Sequence, residues 1–264
     1  MPYSTETGVK IYYDETGEGP AMVLIHANPF DHNLWLYQAA HFSTWFRVIS
    51  VDIRGYGRSD KVIDPYTLED MVDDVIGVCR KTGVERAVFG GISVGSGIAI
   101  LLGLDHPGMA DALVLVGGAS SRPEGYEKRI DGYEQSGVVA YHRGHMEDCV
   151  APGFPDTRLG SYLLEIFAER GARLDGKAIG RVFRARGDAH MTPRLSSMTV
   201  PTLVINGASD LSLEAGRETA SLISGAWHKV LPGTGHVCNI EDPAGFDTAV
   251  IEFLDHYGLM PAIR

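Results

Sequence analysis

The sequence predicts an α/β fold, a doubly wound and mostly parallel β-sheet flanked by helices, with a helical cap inserted into it. Short apolar runs alternate with amphipathic segments of helical spacing, which is typical of βαβ units. The alternation stops between about residues 121 and 198, where helical patterns continue without a clear strand. We therefore expect a core of residues 1–120 and 199–264, and a cap of residues 121–198.

The predicted strands follow the apolar runs in order. Val9 to Tyr13 alternates and is expected to pair antiparallel before the turn at residues 17–20. The later runs are short and apolar, as strands buried in a parallel sheet are. They are Ala21 to His26, Phe46 to Asp52, Arg86 to Gly90, Asp111 to Val116, Val200 to Asn206 and Trp227 to Leu231.

Two helices carry clear end signals. Thr67 to Lys81 has apolar residues at helical spacing, a capping box formed by Thr67 and Asp70, and Gly83 as its stop. Asp242 and Pro243 open the final helix as its N-cap and first-turn proline. The core-facing stripe of that helix is expected to be Phe246, Val250, Phe253, Leu254 and Tyr257.

Composition narrows the class of protein. The chain has 264 residues, with 23 Lys and Arg against 34 Asp and Glu and a formal net charge of −11, which argues against nucleic-acid or anionic-membrane binding. No apolar stretch approaches the roughly 20 residues of a membrane span, and the N-terminus carries no secretory signal. Cys79, Cys149 and Cys238 are far apart, so reduced thiols in a cytoplasmic protein are expected.

The segment Gly91-Ile92-Ser93-Val94-Gly95 lies between a predicted strand and a predicted helix. It matches the G-x-S-x-G nucleophile elbow, a sharp turn that holds a serine in strained geometry. A glycine-rich loop with a buried serine is the alternative, but the strand and helix on either side favour the catalytic interpretation. Ser93 is therefore the candidate nucleophile.

The loop His26-Ala27-Asn28-Pro29 follows a predicted strand. In the elbow architecture such a loop supplies one backbone amide to an oxyanion hole, and the residue after the nucleophile supplies the other. The candidate donors are the amides of Asn28 and Val94. His26 is expected to be a structural hydrogen bonder that shapes this loop.

Two further strand ends carry an acid and a base. Asp210 follows the run that ends at Asn206, and His236 follows the last strand. The chain order Ser93, Asp210, His236 is the one expected for an elbow fold. His236 is the candidate general base, and Asp210 is the acid that orients it. Glu241 and Asp242 also lie near His236, but they are interpreted as the start of the last helix.

Five motifs in register carry a resemblance to the α/β-hydrolase superfamily over nearly the whole chain. They are HANPFDHNLW, DIRGYGRSD, GGISVGSG, NGASD and PGTGH. The branch that the sequence resembles includes 3-oxoadipate enol-lactonases, carbon–carbon hydrolases of ring-cleavage products, and small esterases or perhydrolases. The resemblance implies an oxyanion amide at Asn28 and a structural role for the loop from Asp52 to Ser59. Ala27 and Ser96 depart from the glycines that relatives usually have.

A substrate pocket is expected where the cap and the loops meet. Its candidate lining residues, each equally well explained by core packing, are Phe30, His32, Trp35, Val237 and Cys238. An arginine of the cap could bind a substrate carboxylate, although a solvated helix face is the simpler interpretation for each of Arg122, Arg129, Arg173, Arg181, Arg184 and Arg186.

No cofactor or metal is expected. GGISVGSG lacks the lysine of a phosphate-binding P-loop. His142, His145 and Asp148 can share a helix face, but no ligand cluster at a strand end accompanies them.

The favoured function is hydrolysis of a small carboxylic ester or lactone through an acyl-enzyme. A carbon–carbon hydrolase, a perhydrolase, or a cofactor-free lyase or dioxygenase on the same residues remains an alternative. The alternative from another class is a ligand-binding receptor with slow or no turnover. The expected partner is a small-molecule substrate, and self-association into a homo-oligomer is left open.

Overall fold

The computed structural model describes residues 2–121, 125–171 and 173–262, and their strands form one eight-stranded sheet in the order β1-β2-β4-β3-β5-β6-β7-β8. β1 and β2 run antiparallel to their neighbours, and the other strands pair in parallel. The sheet is the mostly parallel one that the alternating runs predict. The strands are β1 (Tyr3–Ser4), β2 (Ile11–Thr16), β3 (Ala21–Ile25), β4 (Arg47–Val51), β5 (Ala87–Ile92), β6 (Ala110–Val116), β7 (Thr202–Gly207) and β8 (Trp227–Leu231).

Helices cover both faces of the sheet. Alternate residues of one strand point to opposite faces, and in β3 they join different hydrophobic clusters: Val23 and Ile25 in one, Met22 and Leu24 in the other. The described α-helices are α1 (Leu36–Phe42), α2 (Leu68–Thr82), α3 (Val94–Asp105), α4 (Tyr126–Asp131), α5 (Val138–Glu147), α6 (Arg158–Gly171), α7 (Gly176–Asp188), α8 (Leu213–Leu222), α9 (Cys238–Glu241) and α10 (Pro243–His256).

The predicted helix ends are present. Thr67 caps α2 by accepting the Asp70 N–H at 3.3 Å, and the Asp70 carboxylate accepts the Thr67 N–H at 2.7 Å. Gly83 ends α2 in the left-handed conformation, with φ of 71°. Asp242 caps α10 by accepting the N–H of Gly245 at 3.0 Å. The predicted stripe was wrong only at Tyr257, which follows the helix and is 37% exposed.

β5 extends further than its sequence suggests. The predicted strand stops at Gly90, because glycine weakens a strand. In the structure Gly91 pairs with Ile25 of β3 and with Leu115 of β6, so β5 continues to Ile92. Pairing on both sides therefore overrides the local propensity and brings the strand directly to Ser93.

The chain between β6 and β7 forms α4 to α7 and, in the residues described there, no strand. We call residues 121–198 the cap segment; Arg122 lies outside the described residues. Arg170 of α6 pairs with Asp31 at 2.8 Å, and the Arg181 side chain of α7 donates to the Ile63 carbonyl at 2.7 Å. Polar contacts thus join the cap segment to the loops at the carboxyl ends of β3 and β4.

Two further features concern the described residues as a whole. Within them, no helix has both the length and the apolar character needed to cross a bilayer. Cys79, Cys149 and Cys238 are all buried and free.

Candidate active site

Ser93 stands at the turn between β5 and α3. Its backbone has φ of 56° and ψ of −110°, and among the described residues it is the one non-glycine residue with a positive φ. Its N–H donates to the Val116 carbonyl at 2.9 Å, and its carbonyl accepts the Gly97 N–H at 3.2 Å. Because a non-glycine residue adopts this conformation only under constraint, the turn has the strained backbone expected of a nucleophile elbow.

Close packing of α3 against β3 supports this turn. A Cβ at position 95 would lie 2.3 Å from the Ile25 carbonyl oxygen, so Gly95 is the residue that lets the helix approach the strand. Ser96 replaces the glycine of many relatives, and its hydroxyl donates to the Gly91 carbonyl at 2.7 Å. The buried hydroxyl is therefore satisfied, and the departure at position 96 is compatible with the elbow.

Asp210 and His236 lie together at the ends of β7 and β8. His236 Nδ1 is 2.8 Å from Asp210 Oδ1. The other oxygen of Asp210 accepts from the Asn206 amide at 2.9 Å, and Oδ1 also accepts the backbone N–H of Ser212 at 2.8 Å. With Nδ1 donating to the carboxylate, the Nε2 atom carries the lone pair that a general base needs.

The charge states of this pair are coupled. Burial alone would disfavour both charges, but the opposite charge and the hydrogen bond outweigh it. The pKa of Asp210 is consequently well below its ordinary value, and the pKa of His236 is above its ordinary value. The guanidinium of Arg129 in the cap segment opposes the rise at His236. Asp210 is thus an anion at neutral pH. It orients the imidazole of His236 and stabilises the protonated form of that ring.

The end of β6 connects the serine and the histidine. The Val116 carbonyl accepts the Ser93 N–H. The next residue, Gly117, lies against the imidazole, and a Cβ there would be 2.6 Å from Cε1 and Nδ1 of His236. Consecutive residues of one strand end therefore contact Ser93 and His236, which fixes both at the same edge of the sheet.

Glu241 has a role that sequence reasoning missed. It was interpreted as the start of the last helix, but it ends the short helix α9. One of its oxygens accepts the Ala151 N–H, and the other accepts the Gly235 N–H, each at 2.7 Å. Glu241 therefore ties the loop that carries His236 to the cap segment and does not bind His236 itself.

The candidate oxyanion donors lie at two loop ends. Neither backbone N–H, at Asn28 or at Val94, has a recorded acceptor among the described residues. The side-chain amide of Asn28 is also buried, and both of its polar atoms lack partners there. His26 shapes the loop as expected, because Nδ1 contacts the Ala27 carbonyl at 2.9 Å and Nε2 accepts the Ile53 N–H at 3.1 Å.

His32 and Trp35 make contacts that stabilise the fold: His32 binds Asp52, and Trp35 packs in the core. The backbone N–H and Nδ1 of His32 contact Asp52 Oδ1 at 2.8 and 2.7 Å, and Asp52 also accepts the Arg58 N–H at 2.8 Å. The fully buried ring of Trp35 packs against Phe246 within the core. We therefore exclude His32 and Trp35 from the proposed pocket, and the loop of Asp52 is structural, as the resemblance implies.

The other candidate pocket residues lie where the core meets the cap segment. Phe30 packs edge-to-face on Phe167 of α6, with ring centroids 5.1 Å apart. Val237 and Cys238 are fully buried, and the Val237 N–H donates to the Cys149 carbonyl at 3.1 Å. Phe30, Val237 and Cys238 therefore remain candidates for the apolar wall of a pocket.

Among the described residues, Asp31, His32 and Asp52 bring three ligand-type atoms within 4.8 Å of one another. Those atoms already have protein partners. Asp31 accepts the N–H of Asn33 at 2.9 Å and pairs with Arg170, while Asp52 accepts from His32. The cluster therefore has the chemistry of a hydrogen-bonded structural group.

Comparison with known proteins agrees with this fold. Residues 20–139 match the family model described as alpha/beta hydrolase fold. The chain is 27% identical over 235 residues to 3-oxoadipate enol-lactonase 1 of Acinetobacter baylyi, covering 86% of this chain and 85% of that enzyme. A solved enol-lactonase from Burkholderia xenovorans has a TM-score of 0.91 and 28% identity, covering 96% of this chain and 100% of that one. A solved N-acyl homoserine lactone degrading enzyme is 30% identical with a TM-score of 0.83, covering 96% of this chain and 100% of that one.

The chain belongs to the α/β-hydrolase fold family, and it is an enzyme of the hydrolase class.

Proposed function

We propose that this enzyme is a serine hydrolase that cleaves a small carboxylic ester or lactone through an acyl-enzyme on Ser93. The observation that carries the proposal is the Asp210–His236 hydrogen bond of 2.8 Å, at the same sheet edge as the strained Ser93. A nucleophile, a base and an orienting acid are the parts that acyl transfer requires.

The chemistry follows from these parts. His236 Nε2 takes the proton of the Ser93 hydroxyl while Oγ bonds to the substrate carbonyl carbon. The backbone N–H groups of Asn28 and Val94 stabilise the resulting oxyanion, each contributing about 3–4 kcal/mol. His236 then gives the proton to the leaving oxygen as the carbon–oxygen bond breaks. In the second half, His236 takes a proton from water and the hydroxide attacks the acyl carbon. The bond from that carbon to Ser93 Oγ then breaks, the acid is released, and His236 returns the proton to Oγ.

The relatives support an oxygen leaving group. Three of the similar proteins described above are named as lactonases or as a lactone-degrading enzyme, and a lactone is an ester whose leaving oxygen stays tethered to the acyl group. An apolar wall of Phe30, Val237 and Cys238 suits a small organic substrate, since such pockets are mostly apolar with few polar anchors. The acidic charge makes nucleic acid an unfavourable partner, and a cytoplasmic location remains a prediction.

Labelling with a fluorophosphonate probe and measuring intact mass tests the nucleophile. We expect a single adduct on the wild-type protein and none on Ser93→Ala, because the probe reacts with an activated serine. Ser96→Ala is the matched control, because Ser96 lies three residues away and its hydroxyl is already bonded within the elbow; this variant should still be labelled.

An adduct that persists in folded Ser93→Ala would contradict the assignment. Absence of any adduct on folded wild type would contradict serine catalysis and direct attention to ligand binding. Turnover assays with esters, lactones and ring-cleavage diketones on the unlabelled enzyme then separate carbon–oxygen from carbon–carbon cleavage.

A further inference from the structure

The cap segment contacts the loop of His236 directly. The Cys149 carbonyl accepts the Val237 N–H at 3.1 Å, and a Cβ at Gly235 would lie 2.6 Å from the backbone of Val150 and Ala151. His145 lies four residues before Cys149, near the end of α5. The part of the cap segment that adjoins the loop of the proposed general base is therefore residues 149–151, which closely follow α5.

His145 is held in place by Tyr133. Nδ1 of His145 is 2.8 Å from the Tyr133 hydroxyl, and the two residues are 6% and 1% exposed. The imidazole also packs near the rings of Tyr141 and Phe183, with centroids 6.2 and 5.9 Å away. Because a hydrogen bond and aromatic packing both restrain it, the ring has a fixed orientation.

The hydrogen-bond direction fixes the tautomer of His145. Burial, followed by the positive charges of Arg129, His142 and His236, lowers the pKa of His145 well below its usual range, so the ring is neutral. Burial raises the pKa of Tyr133, so the phenol keeps its proton. A phenol is the better donor and a neutral imidazole the better acceptor, so Tyr133 donates to Nδ1 and the ring proton resides on Nε2.

The Nε2–H of His145 has no recorded acceptor among the described residues. On the core side, the hydroxyl of Tyr56 is fully buried and likewise lacks a partner there. Tyr56 lies close enough to Tyr133 and Cys149 for their charges to act on its pKa. Buried polar groups nearly always have partners, so the unpartnered hydroxyl of Tyr56 indicates a place for a polar ligand atom, and the Nε2–H of His145 is a donor that can bind a ligand oxygen.

We propose that His145 is a specificity-determining residue whose Nε2–H binds an acceptor oxygen on the leaving-group side of the substrate, with Tyr133 as its positioning residue. The proposal rests on the ester or lactone hydrolysis proposed above. The leaving-group side follows from the location of His145 beside the loop of His236, the residue that protonates the leaving oxygen. The favoured substrates are esters and lactones with a carbonyl, ether or hydroxyl oxygen a few bonds from the leaving oxygen.

The test compares butyl acetate with 2-methoxyethyl acetate, whose alcohol parts have equal length and differ by one ether oxygen. Acid release gives kcat/KM for each ester, and the ratio of the two values is the readout. We expect His145→Phe to lower the preference for the ether ester about tenfold, the value of one hydrogen bond. His145→Gln, whose side-chain amide can donate, should recover part of the preference, and Tyr133→Phe should lower it about threefold.

Matched controls come from the same helix. His142→Phe changes another buried histidine one turn earlier, and Tyr141→Phe removes a neighbouring phenol; both should leave the ratio within about twofold of wild type. Thermal unfolding and fluorophosphonate labelling confirm that each variant is folded and has an active serine. If His145→Phe does not fold, His145→Gln and Tyr133→Phe provide the test.

An unchanged ratio in folded His145 and Tyr133 variants whose serine reacts with the probe in a separate sample would overturn this inference while leaving the proposed hydrolysis intact. Wild-type protein that neither reacts with the probe nor cleaves either ester would instead overturn the proposed function, and this inference with it.

Discussion

The proton affinity of His236 depends on its neighbour. Asp210 is completely buried at its side chain, whereas the imidazole is 19% exposed. Four donor groups from three residues, His236, Asn206 and Ser212, converge on the carboxylate. Removing the negative charge would therefore change both the orientation and the proton affinity of the histidine.

This coupling predicts the pH dependence of activity. The base must be neutral to act, and the pKa of His236 is raised above 6.5, so kcat/KM should rise with pH to a half-maximal value above 6.5. Asp210→Asn should lower the rate about 10⁴-fold and move the half-maximal pH downward, because it removes the charge that favours the proton. A pH–rate series with His256→Ala, an exposed histidine, as control measures both effects.

A flat wild-type profile would count against His236 as the base, provided that chemistry limits the rate. A minor loss in Asp210→Asn would move the acid role to another carboxylate, with Glu241 the first to examine.

The positions of Ser93, Asp210 and His236 could be predicted because each follows a strand whose pattern is visible in the sequence. Asn206 and Ser212 could not be assigned, since an amide near the end of a strand and a hydroxyl just before a helix have no pattern that shows where they point. His32 and Trp35 were placed in the pocket for a related reason. Aromatic residues after a strand suit a pocket or a core equally, and only long-range contacts distinguish the two.

At the scale of elements, the loop between β8 and α9 is held by hydrogen bonds on both sides of His236. Gly235 donates to Glu241, and Val237 donates to the cap segment at Cys149. Glu241 also accepts from Ala151, so a single carboxylate connects the loop and the cap segment. The position of the His236 side chain thus depends on contacts with residues that are distant in sequence.

Replacing Glu241 by Gln should weaken this connection. The amide oxygen can accept, but the amide nitrogen cannot, so one of the two backbone N–H groups is left unsatisfied. We expect the free energy of unfolding to fall by about 1–3 kcal/mol, as measured by urea denaturation. Hydrogen exchange should become faster at the amides of Ala151 and Gly235.

Glu252→Gln is the control, because Glu252 is an exposed acid on α10 whose ion pair with Lys229 is worth about 0–1 kcal/mol. Equal losses of stability in the two variants would show that Glu241 does not have the connecting role.

The strands and the ends of α2 and α10 were predictable because short apolar runs and capping residues are local signals. The end of β5 was not, because Gly91, which lies beyond the predicted strand, is a strand residue only through pairing with β3 and β6. The cap segment could be recognised as helical, but its packing depends on contacts such as that between Phe30 and Phe167, which no local pattern encodes.

For the whole molecule, the proposed site lies between two bodies of different construction. In the proposals above, the sheet contributes Ser93, Asp210 and His236 from strand ends, and the cap segment contributes Tyr133 and His145. Ion pairs at this boundary, such as Arg170 with Asp31, are partly exposed, and such pairs contribute little to stability. Their arrangement is therefore better suited to setting the relative position of the two bodies than to holding them together.

The backbone conformation of Ser93 has a consequence for heat resistance. A side chain at φ of 56° costs roughly 1–3 kcal/mol, and glycine avoids that cost. Ser93→Gly should therefore raise the melting temperature while abolishing turnover, and calorimetry beside Ser93→Ala, which keeps the Cβ, isolates the backbone contribution. Equal melting temperatures would mean that the turn is relaxed. A higher melting temperature for the glycine variant would mean that selection for thermal stability and selection for catalysis favour different residues at position 93.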